Sequence, residues 1–373
     1  GDEKVPHVLV MSATPIPRTL GLVLYGDLDI SVIKGLPSGR IPVATYTAKI
    51  ADNERIYNLL RKEIKEGRQA YIVCPLIDTT EESDLNSVKD LFEKSVEAKE
   101  MVLTADDALQ VNLSHIMFYG PEDSLRQTEY TQPAIFLHSV ILASLIRTLD
   151  AECSAGHSLG EYSALVWSGA IQFYDAIKVV RFRGQAMQQS GIEQSGKMAA
   201  VVGLDQKSLE NICTEASHAG IVQCANFNSP GQIVISGSVE GVRKAMELAK
   251  GNGAKLVKEL VVSGAFHSPL MQSSIDKLKE KLSLSNFYDA RKPVYANVTA
   301  KPVTSNEEIK ELLFQQVTAP VRWEETIINM INDGIEEFVE VGPGKVLQGL
   351  VKRINPDVKT FGIDKYDDLE KYL

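Results

Sequence analysis

The sequence predicts an α/β protein: a mainly parallel sheet flanked by helices, broken by a smaller α+β insertion and preceded by a further α/β segment. Three observations predict it. Apolar runs of strand length alternate with helical stretches of ten or more residues along most of the 373-residue chain. Residues 196–263 depart from that alternation and read β-α-β-β-α-β. Gly156-His157-Ser158-Leu159-Gly160 places two glycines around a serine, a pattern that permits a sharp turn into a helix.

Each element follows in order. Val8–Met11 reads as a strand entering a Ser-Ala-Thr-Pro turn, and Ala70–Cys74 as a strand after a helical stretch ending at Gly67. Residues 78–86 are polar and acidic and read as a loop. From about residue 90 to 195 the chain is largely helical. Pro133–Leu149 reads as an apolar helix with its proline in the first turn, where the missing N–H is harmless. A glycine-rich turn then opens a helix to Ala170, and Tyr174–Gln189 is a further helix. Within the insertion, strands are expected at Lys197–Val202, Ile221–Asn226, Gln232–Ser236 and Leu256–Val262, with helices at Gln206–Ala219 and Val239–Asn252. This order is that of a ferredoxin-like unit. The larger sheet resumes with a helix from Ser268 and strands near Val294–Val298, Glu337–Val341 and Thr360–Ile363.

Composition narrows the function. A formal net charge of −10 argues against a nucleic-acid surface, which needs clustered Lys and Arg. Cys74, Cys153, Cys213 and Cys224 form no C-x-x-C pair and no cluster with metal-ligand spacing, so they read as free buried thiols. The longest apolar stretch, Ala134–Ile146, is interrupted by His138 and too short to span a bilayer. With no signal peptide visible, a cytoplasmic protein without membrane contact is expected. Gly1 in place of Met reads as a fragment or a processed chain.

Chemistry concentrates in a few residues. The G-x-S-x-G turn lifts the Ser158 hydroxyl clear of the backbone and aims helix N-terminal amides at a developing oxyanion. A serine needs a base. Of the six histidines, His157 adjoins Ser158 and points elsewhere from the turn, whereas His267 lies between a strand and a helix at a sheet edge. Arg183, on the helix after the serine helix, has the planar fork that clamps a carboxylate.

The segments AGHSLGEYSAL (Ala155–Leu165), RGQAMQ (Arg183–Gln188), NFNSPGQIVISG (Asn226–Gly237), GAFHSPLM (Gly264–Met271) and EVGPGKVL (Glu340–Leu347) occur in order. Together they resemble the malonyl-CoA:acyl-carrier-protein transacylases of bacterial fatty acid synthesis, from about Lys89 to Leu373. The resemblance implies a hydrolase-like acyltransferase core, with Ser158 as nucleophile, His267 as base and Arg183 as carboxylate clamp. It further implies that the Gln316 carbonyl orients His267, that the Leu159 N–H is one oxyanion donor, and that His157 and Phe266 lie in the substrate site. Phe266 beside His267 fits the malonyl-selective pattern. The implied substrate is malonyl-CoA, the partner is acyl carrier protein, and no cofactor or metal is required.

The sequence departs from that family at its start. The family opens with a short strand and a Gly-Gln-Gly-Ser-Gln loop that supplies the second oxyanion donor; no such loop is present. Instead VLVMSATPIPRTLGLVLYGDLDISVI (Val8–Ile33), LPSGRIPV (Leu36–Val43) and EGRQAYIVCPLI (Glu66–Ile77) resemble part of the RecG branch-migrating DNA helicase. That slice carries no G-x-x-x-x-G-K-[ST] phosphate loop and no acidic Mg²⁺ box, so no motor function is assigned. The expected organisation is a helicase-like fragment over 1–69, a ferredoxin-like subdomain over 196–263, and an acyltransferase large domain over 70–195 and 264–373. In that reading, Ala70–Cys74 stands in for the family's first strand. The competing readings are a catalytically impaired chimera that still binds coenzyme A or acyl carrier protein, and a DNA helicase-related module.

Overall fold

A computed structural model describes residues 86–148, 150–369 and 372. The helicase-like fragment over 1–69, the strand expected at 70–75 and Cys74 all lie outside the described residues.

The helix Val96–Leu109 packs its apolar face against the long helices Thr128–Leu145 and Phe173–Glu193, and the helix before it, Asn86–Lys94, packs on Val96–Leu109. Ser95 opens Val96–Leu109 with its Oγ accepting from the Ala98 N–H at 3.2 Å, a serine N-cap. The two long helices approach closely because residue 184 is glycine. A Cβ there would lie 2.7 Å from the Thr128 carbonyl oxygen.

The sheet core is in two described pieces. Strand β1 (Ser154–Ala155) pairs in parallel with β6 (Val294–Tyr295), which pairs antiparallel with β7 (Pro302–Val303). Strands β8 (Glu337–Val341) and β9 (Lys359–Ile363) form a parallel pair in register Glu337↔Lys359 to Val341↔Ile363. Residues on β1 and β8 line the same cavity, of about 850 Å³. Between β1 and β6 the chain forms β2 (Gly196–Val202), β3 (Val222–Ser229), β4 (Gln232–Ser238) and β5 (Leu256–Leu260). Their order across one antiparallel sheet is β3-β4-β2-β5, with helices Gln206–Ala216 and Val239–Gly251 in the β-α-β-β-α-β sequence. Ala199, Val201, Ile233 and Ile235 bury the core between sheet and helices. The β3–β4 turn is Pro230-Gly231, with Gly231 at φ +69°, the value a type II turn requires after proline. Backbone bonds tie this insertion to the core, Phe227 N–H to the Val321 carbonyl and Val321 N–H to the Ala225 carbonyl.

Two expectations about elements are corrected. The helix expected to start at Pro133 starts at Thr128, so the proline is interior and removes a bond to the Glu129 carbonyl. Burial of Thr128, Gln132 and Pro133 against the neighbouring helix outweighs that loss. The strand expected near Val294–Val298 ends at Tyr295. The chain turns there because the Asn297 side chain is drawn to the Ser158 loop and Ala300 takes a positive φ of 55°.

Candidate active site

The nucleophile turn is built by close backbone approach. A Cβ at Gly156 would stand 1.9 Å from the Gly160 carbonyl carbon, so only glycine closes this turn. Ser158 sits at φ 51°, a left-handed value unfavourable for a non-glycine residue, and it holds its side chain out over the helix Gly160–Trp167. Asn297 fixes the turn from below. Its Nδ2 donates to the Gly156 carbonyl at 2.6 Å, and its Oδ1 accepts from the Ser158 N–H at 2.6 Å.

His267 also has a positive φ, 55°, which directs its ring back from the loop after β5 to the serine. Ser158 Oγ and His267 Nε2 are 2.8 Å apart. On the other side of the ring, Nδ1 lies 2.8 Å from the Gln316 carbonyl oxygen. A carbonyl only accepts, so Nδ1 carries the proton and Nε2 presents its lone pair to the Ser158 hydroxyl. Burial first, and the nearby Arg183 cation second, push the His267 pKa down to about 3. The resting imidazole is therefore neutral, as a base must be.

Arg183 reaches the same hydroxyl. Its Nη2 donates to Ser158 Oγ at 3.0 Å and to Gln316 Oε1 at 3.0 Å, and Nη1 donates to Gln132 Oε1 at 2.7 Å. The guanidinium is 1% exposed yet lines the cavity together with Ser158, Leu159, Phe266 and His267. Two glutamine oxygens thus aim a buried fork at the reacting serine.

In the elbow, the Ser158 N–H is taken by Asn297, the Gly160 N–H by the His157 carbonyl and the Glu161 N–H by the Ser158 carbonyl. Leu159 is the N-cap residue of the helix Gly160–Trp167, where backbone amides are free of intrahelical partners.

Two expected site residues sit differently from the rest. His157 points away from the hydroxyl: its Nε2 lies 2.9 Å from Asn228 Oδ1, and its ring packs 5.7 Å from that of Trp323 on the cavity wall. Gln316 is fully buried behind Arg183 rather than on the cavity wall. Its amide is bonded to Arg183, Glu161 and the Ser158 carbonyl. Sequence reasoning missed four residues of this assembly: Gln132, Glu161, Asn228 and Asn297. Glu161 carried a signal, being an acid three residues after the nucleophile in an otherwise apolar helix.

The sequence profile of the acyl transferase domain family matches residues 83–360. The malonyl CoA-acyl carrier protein transacylase of Bacillus subtilis (strain 168) is 43% identical over 285 residues, covering 76% of this chain and 90% of that protein. The transacylase of the same name from Staphylococcus aureus (strain MSSA476) is 40% identical over 283 residues, 76% of this chain and 92% of its own length. Among solved structures, an acyl carrier protein S-malonyltransferase from Vibrio cholerae superposes with a TM-score of 0.74 at 37% identity, covering 77% of this chain and 94% of that one. A malonyl-transacylase solved in complex with a type II polyketide synthase acyl carrier protein gives the same TM-score, identity and coverage. An intact serine–histidine–arginine constellation on this fold, with relatives at 40% and 43% identity over nine tenths of their length, places the chain in the acyl transferase domain family, among the malonyl-CoA:acyl-carrier-protein transacylases.

Proposed function

We propose that this chain transfers a malonyl group from coenzyme A to the phosphopantetheine thiol of acyl carrier protein, through a malonyl ester on Ser158. One observation carries the reading: a single hydroxyl lies within hydrogen-bond reach of both a neutral imidazole and a buried guanidinium.

In the first half-reaction the Ser158 hydroxyl gives its proton to His267 Nε2 as Oγ bonds to the thioester carbonyl carbon. The Leu159 N–H donates to the resulting oxyanion. Collapse breaks the carbon–sulfur bond, and His267 returns the proton to the departing coenzyme A thiolate. In the second half-reaction the carrier thiol gives its proton to His267, its sulfur attacks the ester, and Ser158 Oγ leaves carrying that proton. The Gln316 carbonyl keeps Nδ1 protonated throughout. Arg183 holds the distal malonyl carboxylate, and Phe266 forms part of the acyl pocket wall. No cofactor is needed, because malonyl-CoA is a substrate and the chemistry is acid–base and nucleophilic.

The domain division proposed is a ferredoxin-like subdomain over 196–263 set into the acyltransferase large domain, supported by the β3-β4-β2-β5 strand order. The RecG-like reading of residues 1–69 remains a reading of sequence alone. Among the described residues no helix is long and apolar enough to cross a membrane.

The test is transfer of labelled malonyl from malonyl-CoA to purified phosphopantetheinylated acyl carrier protein. Transfer by the intact chain that disappears in Ser158→Ala supports the reading. Transfer that survives Ser158→Ala refutes the nucleophile, and failure to use acyl carrier protein refutes the acceptor.

A further inference from the structure

Behind the reacting groups lies a carboxyl the mechanism does not use. Glu161 is 3% exposed, on the first turn of the helix that follows Ser158. Its Oε2 accepts from the Asn297 backbone N–H at 3.0 Å and from Gln316 Nε2 at 2.8 Å. The same Gln316 side chain accepts from Arg183 through Oε1 at 3.0 Å, and its backbone carbonyl accepts from His267. Glu161 and Arg183 are thus joined through one oriented amide rather than by a direct ion pair. With Glu161 accepting at Nε2, the amide cannot flip, and its oxygen must face the guanidinium. The titratable and charged groups around Glu161 are Arg183 on the Phe173–Glu193 helix, Tyr162 on its own helix, and His267 on the loop after β5. Arg183 is the cation among them, since His267 is held neutral.

We propose that Glu161 is the buried counter-charge of the Arg183 clamp, ionised when the clamp is empty and protonated when a substrate carboxylate occupies it. This rests on the malonyl-transfer reading above and adds a determinant of selectivity to it. The electrostatic reason is direct. An empty site holds one buried cation, and Glu161 is the anion placed to balance it. A malonyl group brings a second anion to the same guanidinium, and a second carboxylate close to it favours protonation of the buried Glu161 behind it. Burial has already moved Glu161 up to about 7, against the opposing pull of its hydrogen bonds and of Arg183, so the exchange falls at physiological pH. Tyr162, pushed up to about 12 by burial, stays neutral across this range. Acetyl groups carry no anion and leave Glu161 unaffected.

The sign follows from linkage. Carboxylate binding raises the Glu161 pKa, so a malonyl group binds best where Glu161 is already protonated and less well as pH rises above about 7. The probes are the N-acetylcysteamine thioesters of malonate and acetate, which lack the titrating phosphates of coenzyme A. The readout is the ratio of malonyl to acetyl kcat/KM for acylation of Ser158 from about pH 6 to about pH 9. Both substrates share His267, so effects on the base cancel. The ratio is expected to fall above neutrality, with a limiting slope of about tenfold per pH unit. Glu161→Gln keeps an oxygen for both donors and removes the charge. Its ratio is expected to be flat with pH and to match or exceed the unmodified protein's value at low pH. A flat ratio in the unmodified protein, or an unchanged slope in Glu161→Gln, overturns the proposal.

Should Glu161→Gln fail to fold, calorimetry on Ser158→Ala decides instead. Malonyl thioester binding near neutral pH, measured in two buffers of different ionisation enthalpy, is expected to take up a fraction of one proton. Acetyl thioester binding is expected to take up none. Zero uptake with malonyl overturns the proposal. Absence of any acyl ester on Ser158 would instead defeat the transferase reading itself, so the two failures are distinguishable.

Discussion

Replacing Arg183 by alanine separates recognition of the malonyl carboxylate from the acyl-transfer chemistry. The guanidinium is buried, and Gln132 and Gln316 hold it with its Nη2 3.0 Å from Ser158 Oγ. A hydrogen bond to a charged group contributes about 1.5–3 kcal/mol, so a two-point grip on a carboxylate is worth about 3–5 kcal/mol. Malonyl kcat/KM in Arg183→Ala should therefore fall by roughly 10² to several times 10³. Acetyl transfer loses the bond from the charged donor to Ser158 Oγ, about 1.5–3 kcal/mol, or roughly tenfold to 10²-fold, a loss that malonyl transfer shares on top of the grip. The preference for malonyl over acetyl should thus drop by on the order of 10²-fold. Arg183→Lys should recover part of the malonyl rate through charge, but not all of it, because an ammonium cannot span the two glutamine oxygens as a planar fork does. The assay is single-turnover acylation with malonyl-CoA and acetyl-CoA, alongside a thermal melt to show that the variants are folded. Equal losses for the two acyl groups would refute the clamp.

Three further outcomes concern the elbow and the base. Gly156→Ala places a Cβ 1.9 Å from Gly160 backbone atoms, so the turn must open; acylation should be abolished or the domain should fail to fold, and a variant with ordinary acylation rates would contradict the tight turn. Because His267 is depressed to about 3, its neutral form persists well below the pH at which a free imidazole takes up its proton. Acetyl transfer should therefore show no acid limb near pH 6.5 and should fail only in stronger acid; a limb at about 6.5 would contradict the buried, Arg183-facing placement. The same depression means the unfolded chain binds a proton before the folded one does, so stability should decline as pH falls from about 6.5 towards 3, and His267→Ala should lessen that decline.

Much of this site was legible because its chemistry is local in sequence. Gly156, Ser158 and Gly160 declare a tight turn by themselves, and Glu337–Val341 was readable as a strand residue for residue. The apolar runs Lys197–Val202 and Gln232–Ser236 match two of the insertion's strands to within a residue or two of their observed ends, whereas the strand expected to end at Asn226 runs on to Ser229. What stayed hidden is held by long-range polar contacts that leave no period. Asn297 reads as the continuation of an apolar strand, yet its side chain reaches across 139 positions to the Ser158 N–H. Glu161 stands in the first turn of its helix, where an acid needs no buried partner to be favourable, and is buried under the nucleophile. Gln132 was masked by Pro133, which signals a helix start, whereas packing against Gly184 extends the helix five residues further back and brings Gln132 to Arg183. Propensity describes a residue's neighbours in the chain, and these three residues are placed by neighbours in space.

Ser158 Oγ is the atom proposed to carry the acyl group between the two thiols. Intact-mass and peptide-level mass spectrometry after brief exposure of the purified protein to malonyl-CoA tests it most directly. The account predicts a single malonyl adduct on the peptide containing Ser158, cleared on adding phosphopantetheinylated acyl carrier protein and absent from Ser158→Ala. An adduct on any other residue, or one that persists in Ser158→Ala, would contradict it.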